Sequence, residues 1–321
     1  MNSYVEAINL SKSFGTIKAV KKISLHVEQG EVLGFLGPNG AGKSTTMRMI
    51  TGYLRPSSGK VSVGGFDILE NPTDAQKHIG YLPEGAPSYG EMTTVSYLNF
   101  IADVRRVPRR EKKQTVENVI DKINLNTVAN RKIEDLSKGY KRRVGLAQAI
   151  MHDPSVLIMD EPTDGLDPNQ KHEIRTLIRE MAPKKAIIIS THILEEVDTV
   201  CTSTAVIHKG RIIFSGTPSQ LAALSTYHDA LNIVVKIEEA EEALRILKSQ
   251  QDVTKVEEIY SGNEIRITAL LRAKEPASSR IQDTLTKEKI IPKEYFFEKG
   301  RLDQVFRDLT GNDETPEEEV L

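Results

Sequence analysis

Short, almost wholly apolar runs, each followed by a glycine-rich or polar turn, mark the first two thirds of the chain. Residues 31–36, 156–159 and 186–190 are such runs. A strand without polar alternation must be covered on both faces, which is the position of a parallel strand inside an α/β sheet. Residues 4–10 and 23–27 are read as two further strands. The run 31–36 enters a glycine-rich turn, and residues 44–51 then begin a helix. Residues 74–152 read as mostly helical, with the basic stretch 105–113, RRVPRREKK, as a solvated loop between helices. The pattern predicts an α/β domain interrupted by a helical insertion.

Residues 219–230 form a polar, alanine-rich connector, beyond which the pattern changes. Strands are predicted at 231–237, 253–260, 264–271 and 292–297, and helices at 240–250 and 276–289. This β-α-β-β-α-β order is that of a ferredoxin-like α+β domain, predicted here over 228–311. A closing helix is expected at 302–309. The last ten residues, 312–321, carry five acids and little to bury, so they are expected to form a solvated acidic tail.

Composition narrows the class without naming a function. With 321 residues, 39% hydrophobic and 27% charged, the chain has enough apolar material for two domains. Lys+Arg 43 against Asp+Glu 45 gives a net charge of -2, so no basic surplus points to nucleic acid. Cys201 is the single cysteine, which excludes an internal disulfide and a thiolate metal cluster and suits a reducing compartment. No apolar run reaches the roughly 18 residues of a membrane span, and the first residues lack the basic start and apolar stretch of a secretory signal. Any membrane role is therefore expected to depend on an anchor elsewhere.

Chemistry concentrates at the ends of the apolar runs. Gly37, Gly42, Lys43 and Ser44 match the phosphate-loop pattern G-x-x-x-x-G-K-[ST], placed after a strand and before a helix. Gly37, Pro38, Asn39, Gly40, Ala41 and Gly42 would curl so that backbone N–H groups face phosphate oxygens, and the helix entered through Ser44 and Thr45 adds its positive end. Lys43 would reach the β- and γ-phosphates, and the Ser44 hydroxyl would ligate Mg²⁺. A nucleoside triphosphate is thus the expected ligand. At the end of run 156–159 stand Asp160 and Glu161. Asp160 is read as holding Mg²⁺ through a water, and Glu161, pointing the other way, as polarising the attacking water.

The phosphate loop, Leu136-Ser-Lys-Gly-Tyr140, Asp160-Glu-Pro162 and His192 after run 186–190 occur in that order. Together they resemble the ATP-binding cassette (ABC) ATPase family over roughly residues 4–220. The resemblance implies a P-loop NTPase cassette, with a mixed-sheet core and a helical subdomain at about 84–150, spanning 1–222. It implies that Phe14 stacks on adenine, that Ser137 and Gly139 of the signature loop contact a γ-phosphate, and that His192 holds the γ-phosphate beside Glu161. The loop Asp164-Gly-Leu-Asp167 matches the family's interface-crossing loop. Because the family places signature and phosphate loop on separate subdomains, it implies a head-to-tail dimer with ATP between two copies. Lys138 and Tyr140 stand where the commonest signature has Gly and Gln, and Glu84 stands where the family has a metal-sensing Gln. As a carboxylate Glu84 would bind Mg²⁺ more strongly than an amide. Lys141, Arg142 and Arg143 are read as exposed charges on one helix face, and His78, His152 and His208 as ordinary surface or core residues.

The loop Ile79-Gly-Tyr-Leu-Pro-Glu84 with this signature resembles the gliding-motility and multidrug-export branch. The implied function is ATP hydrolysis that drives integral membrane permease subunits of an exporter or related machine, from the cytoplasmic face of the membrane. Met92, Val95, Tyr97 and Phe100 are read either as lining the docking cleft for a permease helix or as core residues. A soluble ABC ATPase acting on ribosomes or DNA is the competing reading. Those classes usually carry paired cassettes or long coiled coils, neither of which occurs here, so no nucleic-acid partner is expected.

Overall fold

In the computed structural model, which describes residues 4–86, 88–272 and 274–311, the chain divides into two units, Met1–Pro218 and Ser219–Leu321. The predicted acidic tail at 312–321 lies outside the described residues.

The first unit begins with β1 (Val5–Phe14) and β2 (Ile17–Val27), an antiparallel pair longer than the predicted strands. Then come β3 (Val32–Leu36), α1 (Lys43–Ile50), β4 (Ser58–Val63), β5 (Phe66–Asp67), α2 (Pro72–Lys77) and β6 (Ile79–Leu82). Helices α3 (Thr94–Val104), α4 (Arg109–Lys122) and α5 (Lys138–Ile150) lead to β7 (Val156–Asp160). The unit closes with α6 (Pro168–Met181), β8 (Ala186–Thr191), α7 (Leu194–Val200), β9 (Ser203–His208) and β10 (Arg211–Gly216), and α8 (Pro218–Ala222) follows.

A six-stranded sheet of order β10-β9-β3-β8-β7-β6 forms the centre. Its strands run parallel except β10, which pairs antiparallel with β9 at the edge. Every residue of β3, β7 and β8 is buried, as their composition predicts. Alternation divides their side chains between two cores. Val156, Ile158, Ala186 and Ile188 face α1 and the antiparallel sheet β2-β1-β4-β5. Leu157, Met159, Ile187 and Ile189 face the helical layer of α3 to α6. At roughly 1.5–3 kcal/mol per buried aliphatic side chain, this double burial is the main stabilising term of the unit.

Three local expectations are corrected. Residues 79–82 form strand β6, paired parallel with β7, inside the segment expected to be mostly helical. The run is too short, and too interrupted by Gly80, to declare itself without its neighbour. Arg109 to Lys113 form the first turn of α4, so only 105–108 connect helices within the basic stretch. Pro108 at the N-cap position fixes that start, since proline costs nothing where no N–H partner exists. Of the three charges expected to be exposed, Arg142 is buried, as described below, and Lys141 and Arg143 are half-buried.

The second unit contains β11 (Leu231–Lys236), α9 (Ala240–Ser249), β12 (Val253–Ser261), β13 (Glu264–Leu271), α10 (Lys274–Lys287), β14 (Glu294–Phe297) and α11 (Leu302–Gly311). Its sheet has order β12-β13-β11-β14 with all neighbours antiparallel. Leu231, Ile233, Val235, Ile265 and Ile267 on one face pack with Ala243, Ile246 and Leu247 of α9 and with Ile281 and Leu285 of α10. On the other face the Thr268 hydroxyl donates to Asn232 at 2.7 Å, and the Arg301 guanidinium lies 3.5 Å from the Tyr227 ring centre. Among the described residues no helix is long and apolar enough to cross a membrane.

His152, just after α5, ties that helix to β6 through its Nε2, 3.1 Å from the Ile79 carbonyl. Burial, reinforced by Arg105, pushes its pKa down to about 4. The neutral ring is the one the fold accepts, so its contribution is complete above the unfolded value of about 6.5 and is lost as pH falls from there toward 4. Urea unfolding is expected to show the first unit losing up to about 1.4 kcal/mol per pH unit in that window from this group. The His152→Gln variant should be less pH-sensitive by that amount, and an identical slope in both proteins would refute the assignment.

Candidate functional site

The phosphate loop leaves the C-terminal end of β3 and enters α1 through Gly42, whose φ of 110° only glycine adopts without strain. No side chain caps the helix, so its first N–H groups are available to an anion. Lys43 is buried, and its ammonium donates to the carbonyls of Gly37 at 2.8 Å and Pro38 at 3.2 Å. Its Nζ is 3.7 Å from Glu161 Oε1. Burial lowers its pKa, while Glu161, Asp160 and Glu84 act in the opposite sense. Ser44 and Thr45 follow, both half-buried in the first turn of α1.

Asp160 ends β7 at 1% exposure. The parity that turns Val156 and Ile158 toward α1 turns Asp160 the same way, and Ser190 on β8 shares it. The Ser190 hydroxyl donates to Asp160 Oδ1, while Oδ2 is buried without a protein donor. A buried carboxylate oxygen lacking a partner is costly. An oxygen-rich set of this kind fits a hydrated Mg²⁺, a hard cation that keeps several waters.

Glu161 breaks the strand. Its φ of 51° is left-handed, a conformation that costs a non-glycine residue roughly 1–3 kcal/mol and gathers at functional sites. Its N–H donates to the Ser190 carbonyl at 3.0 Å, which fixes the backbone. The carboxylate is thereby set between Lys43 and His192, whose Nδ1 lies 3.1 Å from Oε1. His192 follows β8 and is exposed. Ligand atoms of Glu161, Asp164 and His192 lie within 4.8 Å of one another.

Ser137 caps α5, its hydroxyl accepting from the Tyr140 N–H at 3.4 Å. Gly139 is buried, and a β-carbon there would meet the Gln170 side chain at 2.2 Å, so the first turns of α5 and α6 touch. Asp167 caps α6 by accepting from the Gln170 N–H at 2.9 Å. Glu84 is exposed just after β6, and Phe14, at the end of β1, is 50% exposed with the Lys12 ammonium 5.2 Å from its ring centre. A core role for Phe14 is thereby excluded. Of the possible cleft residues, Tyr97 is core, Met92 and Val95 pack partly against it, and Phe100 remains exposed against Tyr89.

Arg142, expected at the surface, is 6% exposed beneath this site. Its guanidinium donates to the carbonyls of Asp160 at 2.7 Å, Pro162 at 3.2 Å and Pro83 at 3.3 Å. One side chain on α5 thus binds the backbone on both sides of Glu161 and the loop that carries Glu84. Burial lowers its pKa, opposed by Asp164, Asp160, Glu161 and Glu84. Ser190 also escaped the sequence reading. The signal for it was a lone hydroxyl at the inward parity of an otherwise apolar strand.

A parallel sheet with a phosphate loop after β3 and an acidic pair after β7 defines a P-loop NTPase. The ABC transporter family profile matches residues 20–164. YbhF of Escherichia coli strain K12, a probable multidrug ABC transporter ATP-binding protein, is 36% identical over 69% of this chain but only 38% of its own length. The chain thus spans less than half of that relative. The linearmycin resistance ATP-binding protein LnrL of Bacillus subtilis strain 168 is 34% identical over 83% of this chain and 89% of that protein. A solved structure of an ABC transporter ATP-binding subunit superposes with a TM-score of 0.64 at 28% identity, covering 69% of this chain and 92% of its own. The chain belongs to the ABC transporter ATP-binding protein family, the ABC cassette ATPases.

Arg142→Met is expected to destabilise the first unit by about 3 kcal/mol, since three carbonyls lose their donor. Arg143, which bonds the exposed Glu173 and, at 3.4 Å, the Ile123 carbonyl, should cost about 1 kcal/mol when replaced by Met. Urea unfolding of the two variants checks the contrast, and equal losses would refute it.

Proposed function

We propose that this chain is the ATP-hydrolysing subunit of a membrane transport machine, working as a head-to-tail dimer with ATP between two copies. The observation that carries the reading is Glu161, held by a strained backbone between the phosphate-loop lysine and His192. Phe14 stacks on adenine, and the backbone from Gly37 to Gly42 with Lys43 cradles the phosphates. Ser44, Asp160 and Glu84 would hold Mg²⁺, which when bound offsets the negative charge of the β- and γ-phosphates. Glu161 accepts a proton from water as the water oxygen attacks γ-phosphorus and the bond to the β-phosphate oxygen breaks. His192 orients that water and the γ-phosphate.

Signature and phosphate loop serve different nucleotides in this reading. Helix α5, which Ser137 opens, packs in the helical layer, whereas α1 packs in the opposite core. A second copy supplies Ser137 and Gly139 to the ATP held by the first. Closure then moves the helical layers relative to each other, and permease subunits receive that motion. A groove of about 370 Å³ beside α3, lined by Tyr53, Gln76, Tyr81, Ile101, Val104 and Gln148, suits a permease helix. The protein sits at the cytoplasmic face of the membrane through that partner. The second unit is read as a ferredoxin-like domain on its element order and sheet order. The match to LnrL, longer than the first unit, supports its travelling with the cassette.

Glu161→Gln is expected to lower ATP hydrolysis at least about 100-fold. It should also elute as a dimer from a sizing column with ATP and Mg²⁺, and a mutant that stays monomeric there sinks the head-to-tail dimer. Affinity purification of the tagged chain from detergent-solubilised membranes should recover an integral membrane protein. Recovery with ribosomes or DNA instead would favour the soluble alternative.

A further inference from the structure

We propose that the cavity where α2, the end of α3 and the residue after α5 meet is a binding site for a phosphate-class oxyanion, distinct from the phosphate loop. The cavity holds about 500 Å³ and is lined by Thr73, Gln76, Lys77, Arg105, Arg106 and His152, with no carboxylate among its lining residues.

Cationic side chains gather there without a matching acid in the lining. The Arg105 guanidinium has one hydrogen bond, 3.4 Å to the Gln76 carbonyl, and among the described residues no ion pair. A half-buried guanidinium with a single long hydrogen bond keeps donors free for an anion. Arg106 follows in the left-handed turn that ends α3, its φ of 57° set by the bonds from the Val107 N–H to the Ala102 carbonyl at 2.9 Å and from its own N–H to the Asp103 carbonyl at 3.0 Å, and it brings a further cation to the lining. His152, which bonds the Ile79 carbonyl through Nε2, contributes its ring to the lining. Of the acids nearby in sequence, Asp74 pairs with Lys77 at the rim at 2.7 Å, Asp103 with Lys112 at 2.7 Å and Asp153 with Lys185 at 2.6 Å.

An oxyanion with several acceptor oxygens answers this unmatched charge. Arg105 and Arg106 supply forked donors for its oxygens, the geometry in which arginine exceeds lysine. Thr73 adds a hydroxyl. The volume exceeds the need of a single phosphate, leaving room for the group that carries it, either a small soluble molecule or a lipid headgroup.

The test uses the full chain saturated with ADP and Mg²⁺, so that the phosphate loop is occupied. Inorganic phosphate is titrated while the His152 ring and arginine Nε signals are followed by NMR. In parallel the chain is sedimented with phosphatidylcholine vesicles with and without phosphatidic acid. The R105Q/R106Q double variant, checked for an unchanged unfolding midpoint, should bind at least about tenfold more weakly, as expected when charge-assisted hydrogen bonds are lost. Saturable phosphate shifts without vesicle binding assign the site to a soluble phosphate. Binding to phosphatidic acid vesicles that the double variant loses assigns it to a headgroup. Absence of saturable binding in both arms, or equal binding by the double variant, overturns the proposal.

Discussion

Complete burial of β3, β7 and β8 is the constraint on which the rest of the first unit depends. A strand covered on both faces has no place for an unpaired polar side chain along its length, because each would cost several kcal/mol. Polar chemistry is therefore displaced to the strand ends, where the backbone leaves the sheet. The phosphate loop follows β3, Asp160 and Glu161 follow Met159 of β7, and His192 follows β8. Adjacent parallel strands end at the same edge, so three segments far apart in sequence deliver their functional groups to one place.

The same displacement concentrates charge in a region of low water content, and the fold manages it with two buried cations of different kinds. Lys43, a flexible point charge, satisfies itself on loop carbonyls while lying within 3.7 Å of Glu161. A ligand offering phosphate oxygens can replace those carbonyls at little cost, since both arrangements pair the ammonium. Arg142 is instead committed to three backbone carbonyls. Its planar fork suits it to fixing backbone rather than to exchanging partners. One cation is thus poised to move and the other to hold still, and the strained φ of Glu161 persists because carbonyls on both sides of it are tied down.

Local pattern and tertiary context contributed unequally to what was readable. The phosphate loop and acidic pair were legible because each couples an apolar run to a distinctive polar end. The six elements of the second unit were legible in order and type, though their pairing as β12-β13-β11-β14 is decided by long-range contacts. Strand β6 was missed, since four residues carry no period and only pairing with β7 defines them. Lys141, Arg142 and Arg143 look alike in sequence. Helical geometry turns neighbouring residues about 100° apart, so Arg142 is fully buried while Lys141 and Arg143 flank it half-buried, and no local signal says which is which.

The two-faced sheet also bears on how the parts of the site are distributed. Ser137 and Gly139 open a helix in one core, while the phosphate loop opens a helix in the other. Gly139 is pressed against Gln170 at the start of α6, so the signature loop and the loop from Asp164 to Asp167 are held as one edge. Arg142, five residues after Ser137, carries the position of that edge to the backbone around Glu161. A ligand that pulled on the loop at Ser137 would therefore act on the Glu161 carboxylate of the same chain through a single helix of thirteen residues. In a head-to-tail arrangement, each nucleotide would then report its presence to the hydrolytic group acting on the other.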